Sequence, residues 1–416
     1  MLSFVYPLMH FLQPGILFPE IAFLRPMQIL GFIVLASCIA SRSEIRRMDA
    51  FSRPGFMWMV AFLLFQTLSV YRSGMMGMFE ELGFWSAYLQ FVALSLLLIT
   101  DERALRRYVW GMICGSMFVV CFGIYAVAAE LPTAIGGRAG AYGMYENHND
   151  YSFLIIQVIP FIYICWRHTG FVQRWLLSLA FVACLAGIFL SLSRGGMLAL
   201  VFEVALIAAL TMKKWRRVLM LSTVVLLGAL AIGYQWAERA KNQGDSYTAE
   251  DARDSRMELW RAARSMVLER PLLGVGSRTF GEHSNEYAEI SRDNRGKNSH
   301  NTYLEVLATS GLLGFLAFAV MLFSLIREVG RRRGSADWLD GIRTATAISF
   351  YAIAFRAMFD AKAHDWSFYF LLVVAITSTL LVARRKPGGT ASDTSVSAWR
   401  PGPGNARSLA RPAVQR

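Results

Sequence analysis

An all-α polytopic membrane protein is the fold class this sequence predicts, and three observations carry it. Hydrophobic residues make up 55% of the chain and charged residues 17%, with a mean hydropathy of +0.40; soluble domains carry about 25% charged residues. Apolar runs near twenty residues recur, each long enough for a helix to cross roughly 30 Å of hydrocarbon. Lys and Arg collect in alternate connections between those runs, as topology control requires. This composition excludes a soluble enzyme, a disordered chain and a fibrous one. Five cysteines in 416 residues, none paired by a short spacing, exclude a disulfide scaffold.

The runs predict about twelve transmembrane helices, near 2–18, 27–41, 55–71, 82–100, 108–129, 151–166, 175–192, 197–212, 218–236, 302–326, 342–359 and 367–383. The first is interrupted by Pro14, Pro19 and Glu20. It does not read as a signal peptide, because no Lys or Arg precedes Arg25 and no small-residue cleavage site follows. Connections 42–53, 101–107, 167–174, 213–217 and 327–343 are rich in Lys and Arg, whereas Arg72, Arg138, Arg194 and Lys362 stand almost alone in the alternate ones. Twelve spans with both ends in the cytoplasm put every rich connection on one side.

The chain thus divides into helices 1–9 over 1–236, an outer loop over 237–301, helices 10–12 over 302–383 and a tail over 384–416. The loop has 65 residues with 11 Lys/Arg and 11 Asp/Glu; long loops translocate regardless of charge, and one of this length in a compact protein is usually functional or folded. The tail is rich in Pro, Gly, Ala, Ser and Arg, which predicts disorder. The net charge of +13 is placed in the tail and in short connections, where anionic lipid heads attract it. No basic stripe is interleaved with aromatics in a polar domain, so nucleic acid is not an expected partner.

Within the loop, Ser255 and Glu258 have capping-box spacing. Met257, Trp260, Ala263 and Val267 follow as a helical stripe, and Pro271, Gly274 and Gly276 end it. Arg256 then falls at the first helical position, where a cation opposes the macrodipole. It is either a solvated arginine that tolerates a small penalty or one that meets an anion there.

Other positions also have two readings. Arg194 precedes Gly195-Gly196 at a span end. It either snorkels to the interface or flanks a bare backbone that a ligand can approach. His300-Asn301 begins the tenth span, with Gly311-Leu312-Leu313-Gly314 after nine residues; the histidine is a hydrogen-bonded structural residue or a base, and the glycines by themselves mean close helix packing. In Glu146-Asn147-His148-Asn149-Asp150, Asn149 or Asp150 caps a helix, or the segment lines a sugar site. His283 and His364 have weaker cases. No His-Glu-x-x-His, Cys pair or outer-loop Asp-x-Asp is present, so neither a metal site nor a cofactor is expected.

Taken together, Ser193-Arg194-Gly195-Gly196, Arg256 with Trp260, Arg270-Pro271-Leu272-Leu273-Gly274-Val275-Gly276, and His300-Asn301 with Gly311-Leu312-Leu313-Gly314 resemble the O-antigen ligase and polymerase superfamily of bacterial envelope glycosyltransferases. The similarity runs roughly from Gly140 to Phe315. It implies a GT-C-like enzyme of the inner (cytoplasmic) membrane, active at its periplasmic face. Such an enzyme moves a glycan from undecaprenyl pyrophosphate to an acceptor hydroxyl on lipid A–core (a ligase), on another lipid-linked repeat (an O-antigen or exopolysaccharide polymerase), or on a protein Ser or Thr. A transporter or flippase is the rival class, but transporters place binding residues at mid-membrane, and here the ionisable residues crowd the outer face.

The expected chemistry follows from the residues. The resemblance implies a pyrophosphate leaving group, which Arg194 and Arg256 would bind through planar, permanently charged forks, with Arg261 and Arg264 in reserve and Arg278 less convincing. His300 would accept the acceptor proton, with direct displacement and inversion and without a metal. Asn147, Asn149 and Asn301 are weaker substrate contacts.

Overall fold

The structure, a computed structural model, describes residues 1–40, 48–211, 233, 249–330, 337–361 and 363–385. The ninth expected span, near 218–236, and nearly all of the expected tail lie outside the described residues. Within them the protein is helical and contains no strand. In lipid every backbone polar group needs an internal partner, and a helix supplies it. The segments are α1 (Leu2–Leu12), α2 (Pro14–Leu17), α3 (Pro26–Ala40), α4 (Pro54–Ser69), α5 (Gly74–Leu98), α6 (Glu102–Ala128), α7 (His148–Arg167), α8 (Phe171–Ser191), α9 (Arg194–Thr211), α10 (Ala249–Glu269), α11 (Phe280–Tyr287), α12 (Thr302–Gly330), α13 (Trp338–Arg356) and α14 (Trp366–Arg384).

Seven described helices (α5 to α9, α12 and α14) are long and apolar enough to cross a membrane, and α1, α3 and α4 are shorter apolar helices. The chain is therefore an all-α polytopic membrane protein. The first expected span is broken: Gln13 takes a left-handed conformation between α1 and α2, and Pro14 restarts the chain. Starts are set by side chains that accept a free N–H. Asp101 caps α6 at 2.7 Å, Asp337 caps α13 at 2.9 Å and Asp365 caps α14 at 2.8 Å.

In the core α1 packs on α6, α4 on α12, and α7 against both α8 and α13. Described residues of three basic connections, 42–53, 101–107 and 327–343, meet at one end. Arg53, before α4, is 3.4 Å from Glu328 near the end of α12. Arg385, after α14, is 2.7 Å from Glu102 and also pairs with Asp337. Arg106 stacks over Trp338 at 4.1 Å. At the other end the start of α7, the α8–α9 junction, the start of α12 and the end of α13 converge.

The loop helix α10 departs from the expectation in two ways. It already runs at Ala249, so Ser255 is inside the helix and no capping box forms. Ser255 Oγ instead donates to Asn294 Oδ1 at 2.6 Å, and Glu258 accepts from Ser291 and Asn294. Arg256 therefore does not oppose the macrodipole at a first turn. The buried face is Leu259, Ala262, Ala263 and Met266, which with Val275, Phe280, Ile290 and Ala308 forms a small second core. Met257 is 38% exposed, so the stripe is rotated from the one its spacing suggested.

Candidate active site at the less basic end

The site is centred on two residues beyond the expected set. Arg356, at the end of α13, is 1% exposed and Asp360 is 5% exposed. Arg356 Nη2 donates to Ser193 Oγ at 3.2 Å, Ser152 Oγ at 3.3 Å, Asp360 Oδ2 at 3.3 Å and the Asn149 carbonyl at 3.5 Å. One guanidinium thus joins α7, the start of α9 and the turn after α13. It also lies directly against Gly195, where any Cβ would overlap it. The close approach allowed by this glycine is made by Arg356 of the same chain, and Ser152 packs in the same way on Gly196.

Ser193 caps α9, accepting from the Gly196 N–H at 3.2 Å and donating to Asn149 Oδ1 at 2.8 Å. Arg194 is therefore the first residue of an 18-residue helix, half-buried. Among the described residues its guanidinium has no hydrogen bond or ion pair.

His300 stands in the turn before α12 with φ +53, the left-handed region that non-glycine residues rarely adopt. Both sides of the turn are fixed. Trp260 Nε1 on α10 donates to the Ser299 carbonyl at 3.0 Å, and Ser299 N–H and Oγ donate to Glu305 at 2.8 and 2.9 Å. Thr302 donates from its N–H to the Ala357 carbonyl at 2.8 Å and from Oγ1 to the Asp360 carbonyl at 2.6 Å. These bonds bring His300 within electrostatic reach of Asp360, Arg256, Lys297 and Arg356. Burial lowers the imidazole below its ordinary value; the Asp360 carboxylate opposes that shift and the three cations add to it.

The Gly-rich segments meet each other. Gly311 interrupts α12 with φ +65 and ψ −169, which frees two N–H groups. Leu312 donates to the Pro271 carbonyl at 2.7 Å and Leu313 to the Leu272 carbonyl at 3.3 Å. In return Val275 and Gly276 donate to the Ala308 and Thr309 carbonyls at 3.0 and 2.9 Å. Gly311 is thus a helix break that docks the end of α10, rather than only a packing notch. Through it Arg256 and Trp260 are held beside His300.

The remaining expected residues divide. Asn301 Oδ1 caps α12, accepting from Tyr303 and Leu304 at 3.0 and 3.1 Å, and Asn147 caps α7 through the Asn149 N–H at 2.8 Å. Arg261 and Arg264 are exposed on α10. Arg278 belongs to another wall, with its guanidinium 2.8 Å from Glu81 and 3.8 Å over the Phe84 ring. His283 is 3.1 Å from Glu286. His364, with Asn147, His148, Asp150 and Asp365, lines a polar groove of about 480 Å³ beside the site. The signal for the missed pair was present in the sequence: an arginine and an aspartate four residues apart at the end of an apolar run.

A polytopic helical protein with a histidine, a carboxylate and guanidinium groups gathered at one membrane end belongs to a class of integral membrane proteins with a polar site at the rim. The family model described as O-Antigen ligase matches residues 179–319, and over that segment the chain is similar to the O-antigen ligase superfamily. The match contains Arg194, Gly195, Arg256, Trp260, His300 and Gly311, whereas Arg356 and Asp360 lie beyond it. No curated protein matches the chain.

Proposed function

We propose that this chain transfers a glycan from undecaprenyl pyrophosphate to an acceptor hydroxyl at the periplasmic face of the inner membrane. The carrying observation is the convergence of His300, Asp360 and Arg256 on one half-buried turn that lies within the family match. The acceptor oxygen attacks the anomeric carbon and forms the new glycosidic bond. The bond to the diphosphate oxygen breaks on the opposite side with its electron pair, which inverts the centre. The acceptor proton goes to His300.

The electrostatics support these roles. Burial favours the neutral imidazole, the form that accepts a proton, while Asp360 keeps it basic and stabilises the cation formed. Arg256 and Arg194 meet the negative charge growing on the leaving diphosphate, and Arg194 stands at a helix N-terminus, where an anion is favoured. Arg356 is too buried to reach substrate; it is a positioning residue that holds Asp360 and the Ser193 turn. The groove beside His364 has the polar lining that a sugar's hydroxyls need.

A reconstituted assay tests this reading, using a lipid-linked glycan and three acceptors: lipid A–core, a second lipid-linked repeat, and a Ser/Thr peptide. Transfer to lipid A–core that requires His300 is expected. Transfer only to the second repeat would make the chain a polymerase, and no glycosidic product with any acceptor would overturn the enzyme reading.

A further inference from the structure

We propose that the hollow at the basic end of the bundle binds a phosphate group, with Arg53, Arg327 and Arg343 as its ligands. The hollow measures about 410 Å³ and lies between the start of α4 and the ends of α12 and α14, with α13 alongside. Three guanidiniums and one carboxylate, Glu328, face it. Glu328 serves Arg53, at 3.4 Å, and its backbone carbonyl accepts from Arg343 at 2.9 Å. Arg327 is exposed and has no ion pair among the described residues. On the α14 wall, Thr379 Oγ1 is buried without a hydrogen-bond partner among the described residues. Arg343 is also 3.7 Å from Asp340, so with both carboxylates counted the hollow keeps an excess of one positive charge, carried by Arg327, and an unused hydroxyl. Planar guanidinium forks suit the oxygens of a phosphate.

Its place in the fold identifies the ligand's surroundings. The rest of the lining is largely apolar, with Pro54, Val382, Ala383 and Phe323, the last 62% exposed. Helix ends of a spanning bundle sit at headgroup depth, where phosphate is the abundant anion and basic pockets between helices hold lipid heads. The 29 residues of α12 put this hollow roughly 40 Å from His300 along the helix. It is therefore separate from the site where transfer is proposed, and its occupancy can be read without any transfer assay.

The test uses the purified full chain in detergent, with thermal unfolding read against a short-chain phosphatidylglycerol, a phosphatidylcholine of the same chains, and inorganic phosphate. Wild type is compared with Arg327→Ala, which removes an exposed side chain with no ion pair among the described residues, and with Arg53→Ala. A saturable rise in Tm with phosphatidylglycerol, about tenfold weaker in both variants as expected for loss of one charge-assisted hydrogen bond, assigns a lipid headgroup. The same behaviour with inorganic phosphate instead assigns a soluble phosphate. The proposal is overturned if no ligand shifts Tm saturably, if phosphatidylcholine matches phosphatidylglycerol, or if both variants titrate as wild type does.

Discussion

Arg356 Nη2 stands 3.3 Å from Asp360 Oδ2, and both side chains are buried, at 2% and 7% exposure. Removing one partner of such a pair strands the other charge, at a cost of about 3–5 kcal/mol. Arg356→Met is therefore expected to lower thermal stability by that amount. The double substitution Arg356→Met/Asp360→Leu should recover much of the stability and none of the transfer. Recovery of both would show that the pair acts in packing alone.

His300 carries a pH signature. Its protonated form cannot accept a proton, and burial lowers its pKa below the ordinary value of about 6.5. Transfer should stay on its plateau down to that pH and fall only at lower pH, as the imidazole becomes charged. His300→Ala should reduce turnover by about 10²–10⁴-fold and abolish this acid limb while lipid-linked donor still binds. Near-normal turnover in His300→Ala would remove the base from the mechanism.

Arg194 separates charge from geometry. A lysine keeps the positive charge but loses the fork. Arg194→Lys is expected to slow transfer by about tenfold and Arg194→Ala by about 10²–10³-fold, measured as kcat/KM for the donor. Full activity in both would leave Arg194 as an interfacial side chain only.

Gly311→Ala tests the docking of the loop helix. The added Cβ would meet the Leu272 backbone, at a φ of +65 that costs a side chain about 1–3 kcal/mol. The variant should melt earlier and transfer more slowly. Gly330→Ala, at the other end of the same helix with open space around it, should do neither.

Glu203 lies fully buried on α9, and neither carboxyl oxygen has a hydrogen-bond partner among the described residues. An unsatisfied buried polar group costs about 1–3 kcal/mol, so Glu203→Met should hold or raise Tm without changing transfer. A clear drop in Tm would mean that the carboxyl has a partner in the folded protein.

The sequence by itself determined the fold class, most of the helices and the family-like segments. Hydropathy and charge are local properties of the chain, and a helix in lipid satisfies its own backbone, so each apolar run reports its structure without reference to its neighbours. His300, Arg256 and Trp260 were legible for a related reason, since each sits in a short segment whose spacing carries the pattern.

Only the tertiary structure decided what surrounds them. Arg356 meets Ser193 across 163 residues of sequence and Asn149 across 207, and no local period records which helices pack together. The same packing set the roles of the glycines: Gly195 gives way to Arg356, and Gly311 breaks α12 so that its freed N–H groups can dock residues 271–272. The capping-box reading at Ser255 failed because α10 already runs at Ala249 and its side chains find partners at Ser291 and Asn294. Spacing tells which groups can share a helix face; burial of a charge and the partners that make it tolerable are properties of the assembled bundle.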